Sequence, residues 1–197
     1  MFGFDTLSTL GSLTYLAVAL VIFSEIGVLF LFFLPGDTLL FAAGIAASQG
    51  RISLLVLALS VAVAATGGNT LGYAIGKKTG PRIFGKKDDS FFSTKRIETA
   101  RLFFESRGGL SITLSNFLPG IRTFLPAVAG MSKMPFQKFL LLSGAGGILW
   151  GAGMPMAGYF LGKRFPEIDR FIIPVVLLAI LASVIPLLWK RSMHTRP

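Results

Sequence analysis

Apolar runs of two lengths alternate with a few polar breaks, and the lengths predict two kinds of helix. Leu13 to Phe33 is broken only by Glu25 and is long enough to cross a hydrocarbon core about 30 Å thick. Ile52–Gly76, Phe139–Leu161 and Phe171–Trp189 have the same character. Other runs fall short. Leu39–Ala47 would rise only about 14 Å as a helix, and Gly109–Leu118 and Phe124–Met131 are comparably brief. Residues 1–12, with Asp5 as their one charge, are too few to span and predict an interfacial lead-in.

The short runs gather around a repeated tetrapeptide. Phe33-Leu34-Pro35-Gly36 returns as Phe117-Leu118-Pro119-Gly120, 84 positions on. Gly72-Tyr73-Ala74-Ile75-Gly76-Lys77-Lys78 returns as Gly158-Tyr159-Phe160-Leu161-Gly162-Lys163-Arg164, with a shift of 86, and Gly44 is matched by Gly130. Two copies of one unit are therefore expected, about 20–78 and 105–164, followed by a C-terminal apolar segment. Proline biases its predecessor away from helix and glycine frees the backbone, so each Pro-Gly predicts a chain reversal. A half-length run after a reversal predicts a re-entrant hairpin, which is tolerated at membrane depth where protein or a cavity covers it. A full span followed by a linker is the plainer alternative. The expected fold is an all-α polytopic membrane protein: an inverted repeat of re-entrant hairpin plus transmembrane helix, with an extra C-terminal transmembrane helix at 171–189.

Composition agrees with a membrane protein. The 197 residues suit one domain, 1–197, and are 53% hydrophobic and 14% charged, against about 45–50% and 25% in soluble domains. There is no cysteine and a single histidine, His194, in a polar tail, so disulfides, thiolate chemistry and His-centred metal sites are excluded. A net charge of +10 resembles a nucleic-acid signal but follows from loop bias. With each hairpin returning to its own side, Lys77–Arg107, Lys133, Lys138 and the tail place 14 Lys/Arg on one side, against four (Arg51, Lys163, Arg164, Arg170) on the other. The positive-inside rule makes the basic loop 77–107 and the C-terminus cytoplasmic, with no nucleic-acid partner. Within that loop Ile97, Ala100 and Phe104 have helical spacing and predict a helix lying on the membrane surface.

Three charged residues lie in apolar surroundings: Glu25, Asp37 and Arg122. Such charges cost at least about 2.5–3.5 kcal/mol to insert and are functional candidates by default. Asp37 and Arg122 follow the two Pro-Gly tips at nearly equivalent positions, and hairpins entering from opposite faces would bring them together. Each returning half-helix would start at a tip with free N–H groups, and together with Arg122 these suit a phosphate. Asp37 followed by Thr38 also reads as an N-cap for the half-helix Leu39–Ala47. Glu25, between desolvation and a guanidinium, could exchange a proton. The expected substrate-binding residues are Arg122, Asn116, Ser115, Gly36, Gly120 and Thr123, and the proton-coupling ones Glu25 and Asp37. No metal, cofactor or catalytic residue is expected. Ser115 and Asn116 could instead satisfy hairpin backbone, the glycines at 67–68 and 144–153 read as close helix packing, and Trp150 reads as core.

These motifs resemble a known family. Glu25 with Phe-Leu-Pro-Gly-Asp at 33–37, Gly72-Tyr73-x-x-Gly76, Phe117-x-Pro-x-x-Arg122-x-x-x-Pro126, Ala129-Gly130-Met131 and Trp150 are similar to the bacterial DedA family of SNARE-associated, VTT-domain membrane proteins. The resemblance implies a transporter of the cytoplasmic (inner) membrane with two opposed re-entrant hairpins, dependent on the proton motive force. It further implies flipping of a lipid phosphate such as undecaprenyl phosphate. By position Glu25 and Asp37 match the family's essential acids and Arg122 its second essential arginine, whereas Asn116 stands where many members carry the first. The expected partners are a polyprenyl phosphate or phospholipid, protons and, as an option, further copies of the chain in a homo-oligomer. A proton-linked ion or osmolyte exchanger and a non-transporting assembly factor are the alternatives. An enzyme is not expected, since two acids and one arginine lack a nucleophile or metal ligands.

Overall fold

The computed structural model describes residues 3–28, 35–83 and 94–168, with isolated positions between 174 and 181. The described residues form helices and no strand: α1 (Gly3–Gly27), α2 (Gly36–Ser48), α3 (Leu54–Ile83), α4 (Thr94–Arg107), α5 (Leu110–Ser115), α6 (Leu125–Met131), α7 (Phe136–Arg164) and a short 3-10 turn, Pro166–Ile168. Within α3 and α7, Leu54–Lys78 and Phe136–Arg164 are long and apolar enough to cross a membrane. Their outward faces fit that setting. Leu55, Leu59 and Val63 form one exposed stripe on α3, Val63 at 73%, while Leu141 on α7 is 76% exposed. Water would not tolerate so continuous an apolar surface, but lipid does.

Contacts fix the direction of each helix. α3 and α7 run antiparallel, with Gly147 and Gly151 of α7 against Ala62. α1 runs alongside α3 in the same direction: the Ser53 N–H donates to the Tyr15 hydroxyl near one end, and Gly27 meets Gly68 further on. α2 then runs back along the later half of α7, where a side chain at Gly158 would strike the backbone of Phe41 and one at Gly162 would strike Ser48. At the other end, α5 descends beside α7, with Gly109 near Lys138 and Leu142 and Thr113 against Gly146. α6 returns along α3, where a side chain at Gly76 would overlap the backbone of Ala127. The result is two antiparallel helix pairs entering from opposite ends of the α3–α7 frame. The matched glycines make matched contacts: Gly72 and Gly76 seat α6, and Gly158 and Gly162 seat α2.

Two apolar clusters fill the interior. Val18, Ile22, Ile26, Leu40, Leu57, Val61 and Trp150 join α1, α2, α3 and α7. Tyr73, Ile112, Phe124, Val128, Met134 and Phe139 join α3, α5, α6 and α7. Tyr73 stacks on Phe139 and donates its hydroxyl to the Met134 carbonyl, which closes the second cluster at the basic end.

Several expectations change. The helix begins at Gly3, so residues 3–12 extend it and are not a separate lead-in, and it stops at Gly27 before the expected Phe33. α2 starts at Gly36, three residues before Leu39. The helix in the basic loop exists, but Ala100 is fully buried and Ile97, Phe103 and Phe104 pack on the second cluster. Its apolar stripe faces protein, and Leu102 stays exposed on another side. Phe33, Leu34, Lys86-Lys87-Asp88-Asp89, Pro186 and most of the segment 171–189 lie outside the described residues.

Candidate functional site

The end of α1, the start of α2 and the α5–α6 connection meet. α1 delivers Glu25 two residues before its end, and α2 delivers Asp37 in its first turn. The α5–α6 connection is a chain of tight turns over 116–124, reversed at Gly120 (φ +89°), a left-handed conformation that favours glycine. From it Arg122 reaches both acids. Its Nη1 donates to Asp37 Oδ1 at 2.9 Å, and its Nη2 donates to Glu25 Oε1. The guanidinium also stands 5.3 Å from the centre of the Trp150 ring, a cation–π distance. Arg122 is 4% exposed and Glu25 1%. Asp37 differs: its side chain is 34% exposed, while Glu25 is sealed.

The surroundings hold Glu25 closely. Gly36 has no side chain to stand where Glu25 Oε2 lies, so the carboxylate rests against the first residue of α2, at the helix's positive end. Thr123 Oγ1 donates to the Glu25 backbone carbonyl at 3.4 Å. Oε2 itself is buried without a hydrogen-bond partner. The bonds available to this triad are a fork of five guanidinium donors and four carboxylate oxygens, two of them engaged.

Of the sequence-predicted residues, Glu25, Asp37, Gly36, Arg122 and Thr123 come together. Others do not arrive as expected. Asp37 is no N-cap: Pro35 occupies that position, and the Asp37 carboxylate is held by Arg122. Ser115 donates its hydroxyl to the Ile112 carbonyl within its own helix, so it satisfies the hairpin backbone and offers no free donor. Gly120 forms the turn, and a side chain added there would point into open space. The second tip offers fewer free donors than the first. Arg122 N–H bonds Leu118 O, Leu125 N–H bonds Ile121 O, and Pro126 has no N–H to give. Gly144 and Gly153 face open space, whereas Gly67, Gly68, Gly146, Gly147 and Gly151 pack closely.

Asn69 and Ser143 were not singled out as site residues by sequence. Both are fully buried, and Asn69 Nδ2 donates to Asn116 Oδ1 and Ser143 Oγ. The signal was available, since Asn69 is an amide inside an apolar window that needs no polar group to span. Trp150 was read as core and is core, but it also faces the guanidinium. Among the described residues no three acids, histidines or cysteines gather as a metal site.

The family model of the VTT domain matches residues 34–160. An uncharacterized membrane protein of Mycobacterium leprae is 41% identical over 172 residues, covering 87% of this chain and 77% of its own. The Escherichia coli protein DedA is 31% identical over 191 residues, 94% of this chain and 87% of its own. The Escherichia coli inner membrane protein YqjA is 30% identical over 206 residues, 98% and 93%. No solved structure matches the chain.

Proposed function

The chain belongs to the DedA family of VTT-domain membrane proteins, and from that membership and the site's geometry we propose that it is a proton-coupled transporter that flips a phosphate-bearing lipid, such as undecaprenyl phosphate, across the bacterial cytoplasmic membrane. The two antiparallel pairs are re-entrant hairpins of an inverted repeat, with the substrate site between them as in other repeat-built transporters. The basic end, with Lys77, Lys133 and Lys138, faces the cytoplasm. The chain is not an enzyme; it moves its substrate unchanged.

The observation that carries this reading is Arg122, buried and shared by Glu25 and Asp37. Two acids and one guanidinium sum to one negative charge when all are ionised, so the resting site has no room for a further anion. Buried charge must stay close to balanced, because desolvation exceeds what unpaired attraction returns. Protonating Glu25 and Asp37 releases two guanidinium edges, and a phosphate monoanion can then take both at once in the bidentate geometry that arginine favours. Proton uptake and headgroup entry are thus one event, with Asp37 the first acid reached because it is the exposed one. The lipid tail stays outside the frame, along the apolar faces of α1 and α3.

Liposomes reconstituted with the full chain and labelled polyprenyl phosphate test this. An acid interior–exterior difference should speed the exposure of protected lipid, and Arg122→Ala should abolish it in a protein that still inserts. Transport at the parent rate in Arg122→Ala would remove the anion site, and release of free phosphate would indicate an enzyme.

A further inference from the structure

The connection that carries Arg122 begins in a polar group that the ion triad does not use. Asn69 of α3, Asn116 at the start of the second turn and Ser143 of α7 are buried together. The Asn69 amide nitrogen donates at 3.3 Å to Asn116 Oδ1 and at 3.0 Å to Ser143 Oγ, so both of its N–H bonds are engaged. Two atoms are left without partners: Asn69 Oδ1 and Asn116 Nδ2. Buried polar atoms are nearly always satisfied, so this is a poor way to build a core for packing alone.

The arrangement sets a polarity. An asparagine can turn either its carbonyl or its amide to a ligand, and a half-turn of the side chain exchanges them. Asn69 points a nitrogen at Asn116, and a nitrogen that donates can be met only by the carbonyl. Ser143 Oγ accepts its second hydrogen. Among the described residues none takes up the Asn116 NH2 group, which stands in the same α5–α6 connection as Arg122. We infer that Asn69 is a positioning residue that ties down the Asn116 carbonyl, so that Asn116 offers only donors to an acceptor oxygen of the bound headgroup. This rests on the reading of Arg122 as a phosphate site and narrows the ligand: the group beside the guanidinium is a phosphoryl or phosphate-ester oxygen, an acceptor without a proton to give. Asn116 supplies the hydrogen bond there without adding charge.

The experiment is a binding cycle on the full chain in nanodiscs, with farnesyl phosphate as probe and farnesol as its neutral counterpart. Asn69→Ala and Asn116→Ala should each weaken farnesyl phosphate binding about tenfold, the size of one lost bond to a charged group. The double variant should also be only about tenfold weaker, because the first residue acts through the second. Farnesol binding should not change in any of them, which a general loss of structure would not spare. Parent-like binding of farnesyl phosphate by Asn69→Ala, or a double variant about a hundredfold weaker, would overturn the inference while leaving the phosphate site standing if Arg122→Ala still loses the probe. Parent-like binding by Arg122→Ala would remove the phosphate site and this inference with it. Should Asn69→Ala fail to fold, the same cycle with Asn69→Ser decides on the same outcomes.

Discussion

The two halves of the frame are built alike and supply opposite chemistry. In the first, α1 and α2 bring Glu25 and Asp37; in the second, the α5–α6 turn brings Arg122. Each half's long helix carries a glycine pair that seats the other half's returning helix, Gly72 and Gly76 under α6 and Gly158 and Gly162 under α2. The backbone contacts are matched and the charges are not. A site assembled from such halves cannot be neutral within either one, so its ionisation state depends on how the halves meet. That is the property a coupled transporter needs.

The largest break comes from removing the single cation. Arg122→Ala leaves two acids facing each other without a partner, and losing one member of a buried pair costs about 3–5 kcal/mol. Thermal unfolding in detergent should show it, together with loss of lipid transport.

The acids divide next. Glu25→Gln should remove about 1.5–3 kcal/mol of stability, the range for a hydrogen bond to a charged group. Asp37→Asn should remove about half as much, since its pair with Arg122 is half-buried and partly screened. Transport should lose its response to a pH gradient in Glu25→Gln and keep part of it in Asp37→Asn. Equal effects would mean that the difference in burial has no consequence.

Gly76→Ala and Gly158→Ala test whether the seats are equivalent. Each places a methyl group on opposing backbone, an overpacking worth about 1–3 kcal/mol. Unfolding midpoints that fall together support equivalent seats, and a shift in one alone breaks the comparison. Gly144→Ala and Gly153→Ala are the smallest changes. Both positions face open space, so helix propensity alone should raise stability by up to about 1 kcal/mol, seen as a slightly higher midpoint.

Much of this was legible in the chain. Run lengths and the repeated Phe-Leu-Pro-Gly located α2, α5, α6, α7 and the start of α3 to within a few residues, because apolar length and Pro-Gly punctuation are local signals; α3 runs on to Ile83, past the expected Gly76. The three lone charges pointed to one site because their insertion cost is local too. What escaped was tertiary. Whether α4's apolar stripe met lipid or α6 depends on a neighbour more than twenty residues away. Ser115 satisfies its own helix because the Ile112 carbonyl lies three residues back along α5, within reach of its hydroxyl. The second tip spends several of its donors because the Leu118 and Ile121 carbonyls take them within the turn. Asn69 escaped because glycines beside it suggested packing, and packing is what its neighbour Gly68 does.

The central claim is that protons on Glu25 and Asp37 free Arg122 for a phosphate. Its most direct test is the affinity of farnesyl phosphate across pH, measured on the parent chain and on a Glu25→Gln, Asp37→Asn double variant in nanodiscs. The probe's own second ionisation, near pH 6, is common to both and cancels. The account predicts binding that tightens as pH falls in the parent, and binding in the double variant that is tight at every pH. Equal pH profiles in the two proteins, or loss of binding in the double variant, would contradict it.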